Sequence, residues 1–414
     1  MSWLFRSPSP LQRRQPNIIV ALLCATSAML AAPSPAAQVY VQPTAALGAE
    51  NDSNLDLNPG SNPSVQGYLV NAGALFGIAT PNWESTVSAR LDYRNYPKDQ
   101  ADNRLEEYLD FRSDYSTARS HAAISGQIEH HDDFNAEFSS AYFNQINPVQ
   151  PTNPSTGQAV TGETLTSVLL QPSYTYKFSP VIGAGVSAIY QKFNFTPALL
   201  GHSDFDFYQG NAELNWKFSQ RSELSFGGFG SKYEATQIQS SATGAGPTVG
   251  LDTSWSPLLS TNATITYQHT NLDQSSSPVV KTDINTWGGN ASAVYKGQLS
   301  QYRLILSRFV TPSGGGGVYV NDQAQIQYNR NLTERLAFTG AVIGIKSSQL
   351  PSNVNELDRS YMQTAVDLKW MIRPTWFVQG GYQYSWQKYT LSPDGAMNNR
   401  IYIRVGYQGL PPQR

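Results

Sequence analysis

Beyond residue 37 the chain contains no apolar run approaching the roughly 20 residues that a membrane-spanning helix needs. Segment after segment instead alternates apolar and polar residues with period two. Met362, Thr364, Val366, Leu368, Trp370 and Ile372 alternate with Gln363, Ala365, Asp367, Lys369 and Met371. Ala212, Leu214, Trp216 and Phe218 oppose Asn211, Glu213, Asn215 and Lys217, and Ile401, Ile403, Val405 and Tyr407 oppose Tyr402, Arg404 and Gly406. Successive strand side chains point to opposite faces, so each segment carries one apolar face and one mostly polar face. Such a chain can face lipid only as a closed barrel, the one non-helical arrangement that satisfies every backbone group within a bilayer.

The first residues read differently. Arg6, Arg13 and Arg14 occur without an acid, followed by an apolar run over 18–32 and a small-residue segment over 33–37. This is the pattern of a secretory signal peptide, 1–37, with cleavage after Ala37 or alternatively Ala36, and with the barrel occupying 38–414. The apolar run is too short for a membrane anchor. Gln-Pro-Asn after Arg13-Arg14 departs from the twin-arginine pattern, and Leu23 before Cys24 is too large for a lipoprotein signal. Removing the signal leaves no cysteine, which suits a ladder that needs no disulfides. It also lowers the 28 basic residues to 25 against 30 acids, a balance that argues against nucleic acid as a partner.

The alternation predicts eighteen strands, over 39–49, 66–79, 83–94, 105–115, 119–131, 165–178, 181–194, 205–218, 221–234, 247–256, 259–270, 284–296, 299–310, 317–329, 333–346, 359–372, 375–389 and 398–408. Sixteen remain if 39–49 and 247–256 do not cross the membrane. Short connectors such as Thr80-Pro81-Asn82, Ser179-Pro180, Ser219-Gln220 and Arg373-Pro374 alternate with long ones rich in Gly, Asn and Ser. Bacterial outer-membrane barrels have an even strand number, short periplasmic turns and longer external loops, so both termini are expected in the periplasm. Trp83, Tyr115, Tyr176, Trp216, Trp255, Tyr295, Tyr328, Trp370 and Trp376 lie near the short turns, where an aromatic girdle would meet the membrane–water interface. A secreted β-sandwich, propeller or solenoid is the competing fold, but gives no reason for alternating turn lengths.

The early Glu50-Asn51-Asp52-Ser53-Asn54 segment and turns such as Tyr176-Lys177-Phe178-Ser179-Pro180 and Asn331-Leu332-Thr333-Glu334-Arg335-Leu336 sharpen the picture. With the signal peptide, they give a chain that resembles the outer-membrane β-barrel porins of proteobacteria, including the type associated with exopolysaccharide loci. The resemblance implies an outer-membrane barrel of a Gram-negative cell, without cofactor. It implies surrounding lipid and lipopolysaccharide, insertion by the barrel assembly machinery, and passage of a small hydrophilic solute or a polysaccharide.

Candidate site residues concentrate in the third to fifth predicted strands. Alternation turns Arg90, Asp92, Arg94, Glu106, Asp110, Arg112, Asp114, Glu129 and His131 to one face, with His121. These form either a cross-strand ion-pair ladder that stiffens the wall or a charged rung that selects solutes. The longest connector, about 132–164, is the third long one, and by position it could fold into the pore. It carries Asp132, Asp133, Glu137 and Glu163, and no Lys or Arg lies between Arg119 and Lys177, so an inward fold would disfavour anions. Its Phe134, Phe138, Tyr142 and Phe143 fit an amphipathic helix packed on the wall, or a stack on sugar rings.

His130 and His131 point to opposite faces of a strand, which argues against a joint metal site, and Asp52, Asn54, Asp56 and Asn58 lack the glycine and glutamate of a calcium loop. The five histidines come with no recognisable nucleophile motif, so no catalytic residue and no metal is expected. The reading that follows is a porin-like channel for small hydrophilic solutes, leaning to cations or neutral molecules. The alternative is a structural or accessory barrel in exopolysaccharide export, against which the acidic balance argues if the polymer is anionic.

Overall fold

The computed structural model describes residues 37–60, 64–98, 103–132, 163–196, 202–274, 280–312, 317–350, 358–390 and 394–410. The expected signal peptide lies outside them except for Ala37. Eighteen strands follow one another: β1 (Gln38–Asp52), β2 (Val65–Ala79), β3 (Trp83–Asn95), β4 (Arg104–Ser116), β5 (Ser120–Asp132) and β6 (Thr164–Lys177). Next come β7 (Ile182–Thr196), β8 (Phe205–Trp216), β9 (Ser222–Ala235), β10 (Ser240–Ser254), β11 (Leu259–Gln274) and β12 (Val280–Lys296). The last six are β13 (Ser300–Pro312), β14 (Val318–Asn331), β15 (Leu336–Leu350), β16 (Arg359–Arg373), β17 (Trp376–Tyr389) and β18 (Ala396–Gln408). Each pairs antiparallel with the next, and β18 pairs with β1 from Thr44↔Gln408 to Asp52↔Arg400, closing one sheet into a barrel. Both ends of the barrel chain, Gln38 and Gln408, lie at the end carrying the short turns.

Each strand is longer than the roughly 9–11 residues needed to cross the hydrocarbon layer at a tilt, so the barrel wall continues beyond it. That extension corrects two sequence expectations. The tenth strand begins at Ser240, not at 247, so the connector before it, 236–239, is as short as a turn at the other end. Gly244-Ala245-Gly246-Pro247 reads as a breaker, yet the pairing with β9 runs through Gly246↔Phe229 and Pro247↔Gly228. The cost falls on the other side, where pairing with β11 skips Gly246 and Pro247 because proline has no N–H to donate. A Cβ on Gly246 would lie 1.7 Å from the Tyr267 carbonyl oxygen, so only glycine allows this approach. The connector between β11 and β12, 275–279, is likewise brief, and the alternation of turn length is looser than the sequence suggests.

Four of the short turns share a device. A Ser or Thr at the turn entrance accepts backbone N–H groups two and three residues on: Thr117 from Arg119 and Ser120 (3.3 and 3.0 Å), Ser179 from Val181 and Ile182 (3.3 and 3.0 Å), Ser256 from Leu258 and Leu259 (3.2 and 3.1 Å), Thr333 from Arg335 and Leu336 (3.2 and 3.0 Å). The hydroxyl thereby satisfies donors that the ladder leaves open at a tight reversal.

The outward face is apolar and exposed, with Leu214, Ile265, Ile326, Ile401 and Ile403 among many. The aromatic girdle is present at the short-turn end. Trp83, Tyr115, Trp216, Trp255, Trp370 and Trp376 are exposed there, and Tyr295, Tyr302 and Tyr328 stack in a row with centroids 6.0 and 4.6 Å apart. Ile403 stands on this face four positions from Tyr407, whose ring packs against girdle residue Trp376. Ile403→Arg should therefore lower the unfolding free energy of the lipid-embedded barrel by about 2–4 kcal/mol. Gln171→Arg, on the inward face, should cost less than about 1 kcal/mol. Urea titration in bilayers checks both.

Candidate functional site

Register alone assembles the charged wall. Between β3 and β4 it sets Arg94 opposite Arg104, Asp92 opposite Glu106, Arg90 opposite Tyr108, Ser88 opposite Asp110 and Thr86 opposite Arg112. Between β4 and β5 it adds Tyr108↔Glu129 and Asp110↔Gln127. Leu91, Tyr93 and Leu105 occupy the opposite, exposed face, so Arg90, Asp92, Arg94, Glu106, Asp110, Arg112, Asp114, Glu129 and His131 all share the inward one. Opposite charges are in contact: Arg90 with Asp92 (3.2 Å), Arg94 with Glu106 (3.4 Å) and Arg112 with Asp114 (2.6 Å), and the His131 ring lies 3.5 Å from the Glu129 carboxylate. Arg90 lies 4.1 Å over the Tyr108 ring, and His131 stacks on the other side of this group, its ring 6.1 Å from that of Tyr108. His130 turns outward to Thr166 (2.8 Å), as the strand period requires.

Closure extends this wall with residues the sequence reading did not select. Glu50, whose side chain has no exposed surface, pairs with Arg400 of β18 and lies 3.8 Å from Arg94 of β3. Tyr96, just beyond β3, donates a hydrogen bond to Glu50 at 2.6 Å. The ring reaches Glu50 by lying over Gly67 of β2, where a Cβ would sit 2.5 Å from it. Burial, with the Glu50 carboxylate beside it, pushes the Tyr96 hydroxyl up, so it remains a donor. Farther along, Tyr402 bonds to Asp367 across Gly381, Arg404 donates twice to Gln379 (3.1 and 2.7 Å) and Lys369 donates to Gln408 (2.7 Å). The period-two pattern at 401–407 already marked Tyr402 and Arg404 as the polar face. Their partners, Asp367 and Gln379, are 35 and 25 residues away on other strands, and Arg400 meets Glu50 across 350 residues.

The expected constriction residues separate. Asp132 is the last residue of β5, paired with Thr164, rather than part of a loop. Asp133 and Glu137 lie outside the described residues, as do Phe134, Phe138, Tyr142 and Phe143. Glu163, the residue before β6, is fully buried with its carboxylate 2.5 Å from His202 Nδ1, so it is held by a partner rather than exposed as a free acid.

The connector seen turning inward is the first. Ser53 and Asn54 bond back to β18, through Asn399 O (3.0 Å) and Met397 O (3.1 Å), and Asn54 and Asn58 bond to each other twice (2.9 and 3.1 Å). This carries Leu57, fully buried and with φ of 48°, onto Ile343 of β15, Tyr361 of β16 and Ala396 of β18. Gln387 of β17 donates to the Leu57 carbonyl at 2.8 Å, and Asp56 meets Arg104 of β4 at 3.6 Å. The side chains of the calcium-like run are thus used within the protein. At the same end, Leu165, Phe193, Phe205, Tyr233, Leu272, Ile284 and Val318 join in one apolar cluster drawn from strands β6 to β14. The long-connector mouth is therefore narrowed from both sides.

Below that cluster the inward face of β7 to β13 carries amides and hydroxyls around a cavity of about 360 Å³. The lumen thus has a charged wall and, around this cavity, a nearly uncharged lining.

The barrel is similar in solved structures to OccK2 (OpdF) of Pseudomonas aeruginosa, at 11% identity over 90% of this chain and 99% of that chain, with a TM-score of 0.45. It is also similar to a BenF-like porin from Pseudomonas fluorescens Pf-5, at 10% identity over 90% and 99% of the two chains and a TM-score of 0.43. A third likeness is to the ferric-catecholate import receptor Fiu of E. coli K12, at 9% identity over 91% and 82% and a TM-score of 0.39. No family model and no curated protein matches the chain.

Removing one member of a buried ionic cluster leaves its partners uncompensated. Glu50→Ala, which strips Arg400 and Arg94 of their shared carboxylate, should lower unfolding stability by about 3–5 kcal/mol, measured by urea titration. Glu84→Ala, near a short turn, should change it by less than about 0.5 kcal/mol.

Proposed function

We propose that this chain is an outer-membrane channel for diffusion of small hydrophilic solutes, neutral ones foremost. The observation that carries the reading is a closed barrel of eighteen strands, apolar and exposed outside, polar inside. Such a wall is stable only with lipid around it and water within it. By the rule for bacterial barrels the short turns and both barrel ends face the periplasm, and the long connectors face outward. Outer-membrane lipid and lipopolysaccharide would surround the apolar face, and the assembly machinery would insert it.

The earlier expectation of cation preference weakens when the wall is read in three dimensions. Its acids face Arg90, Arg94, Arg104, Arg112 and Arg400, so the charged side presents paired charges of both signs. A paired wall exerts a weaker net field on a passing ion than an acidic one. Polymer export finds no support in this geometry, because a polysaccharide needs a wide continuous lumen while Leu57 and the apolar cluster narrow the mouth.

Refolded protein in a planar bilayer should give small, stable conductance steps in KCl and a reversal potential near zero across a salt gradient. Leu57→Gly removes the inward side chain and suits a positive φ. It should enlarge the step without loss of folded protein. A correctly folded barrel that never conducts, or one strongly selective for a single sign of charge, would refute the proposal.

A further inference from the structure

The cavity in the β7–β13 wall differs from the rest of the lumen in its chemistry. Its volume of about 360 Å³ falls within the roughly 300–1,000 Å³ of small-molecule sites. Polar groups come from separate strands and are already oriented. Gln209 donates to Asn211 (2.9 Å), and Asn211 donates to Ser187 (3.2 Å). Asn290 Oδ1 is buried without a hydrogen-bond partner, an acceptor left unused at the cavity wall. Phe207, Phe229 and Phe309, on three different strands, bring aromatic rings to the same space. Phe207 also packs against the apolar cluster, so the aromatic side lies toward the long-connector mouth.

Formal charge is nearly missing. Glu213 is the inward ionisable group among the lining residues. Arg308 borders the cavity, but its half-exposed guanidinium engages Asp322 at 3.2 Å on the outward face. An organic anion would therefore meet a carboxylate and no cation. Hydroxyl groups each donate and accept, as amides do, and the C–H face of a saturated ring can pack on a phenyl ring.

We propose that this cavity is a binding site for a neutral, ring-shaped polyol of monosaccharide size, its C–H face against the phenylalanines and its hydroxyls on Gln209, Asn211 and Asn290. The inference rests on the diffusion-channel reading and adds a resting place along the path. It is tested separately from conduction, by titrating glucose and glucuronate into the refolded full barrel in detergent micelles by calorimetry. Glucose should bind saturably and at least tenfold more tightly than glucuronate. Gln209→Ala and Asn290→Ala should each weaken glucose binding about 3- to 10-fold. Gln383→Ala, on the charged side, should leave it unchanged, and all three should keep the wild-type KCl conductance. No saturable glucose binding by a barrel that conducts KCl would overturn the site, as would glucuronate binding equally well or Gln383→Ala weakening it as much. A barrel silent in KCl that still binds glucose would support the site and remove the channel reading.

Discussion

Hydrogen bonding between β18 and β1 is the interaction on which the rest of the molecule depends. In hydrocarbon no water is available for an open strand edge, and each unsatisfied backbone group costs several kcal/mol. Closure removes both edges at once. It also carries Arg400 to Glu50 and thereby joins the polar faces of β16–β18 to those of β1–β5. Glu50 has no exposed side-chain surface, and its burial as an ion is tolerable because Arg400, Arg94 and Tyr96 converge on it. The charged wall is therefore a consequence of the closed topology.

Much of this was legible in the residues. Period two identified all eighteen strands, including 39–49, which is β1, and alternate residues from Arg90 to Arg94 and from Glu106 to Asp114 share one face in the register. The girdle followed from Trp and Tyr beside short turns. What failed had physical causes. A strand interrupted by Gly246 and Pro247 looks broken in one dimension, whereas the sheet lets one neighbour keep its ladder while the other gives way. The inward position of Leu57 was hidden because its contacts lie on strands near the far end of the chain. Glu163 looked like a free acid because nothing nearby in sequence announces His202.

The two walls of the lumen suggest a division of labour. Mixed charges on β16–β5 keep the interior wet and the barrel rigid, since ion pairs across neighbouring strands hold their register. Amides and hydroxyls on β7–β13 offer neutral contacts, and the apolar cluster above them limits access from the long-connector end. Glycines serve the charged side in a specific way. Gly67 and Gly381 leave room for Tyr96 and Tyr402 to cross a neighbouring strand and reach acids two strands away.

Closure is most directly tested by covalent capture of the seam. Ala49 and Ile403 are direct partners on the outward face of β1 and β18. A variant carrying Ala49→Cys and Ile403→Cys, with Cys24 removed, should form an intramolecular disulfide under mild oxidation in membranes and migrate faster after denaturation without reductant. If that disulfide fails to form while a pair across an ordinary hairpin, such as Ala72→Cys with Leu91→Cys, cross-links readily, the barrel is not closed at this seam and the account of the charged wall fails with it.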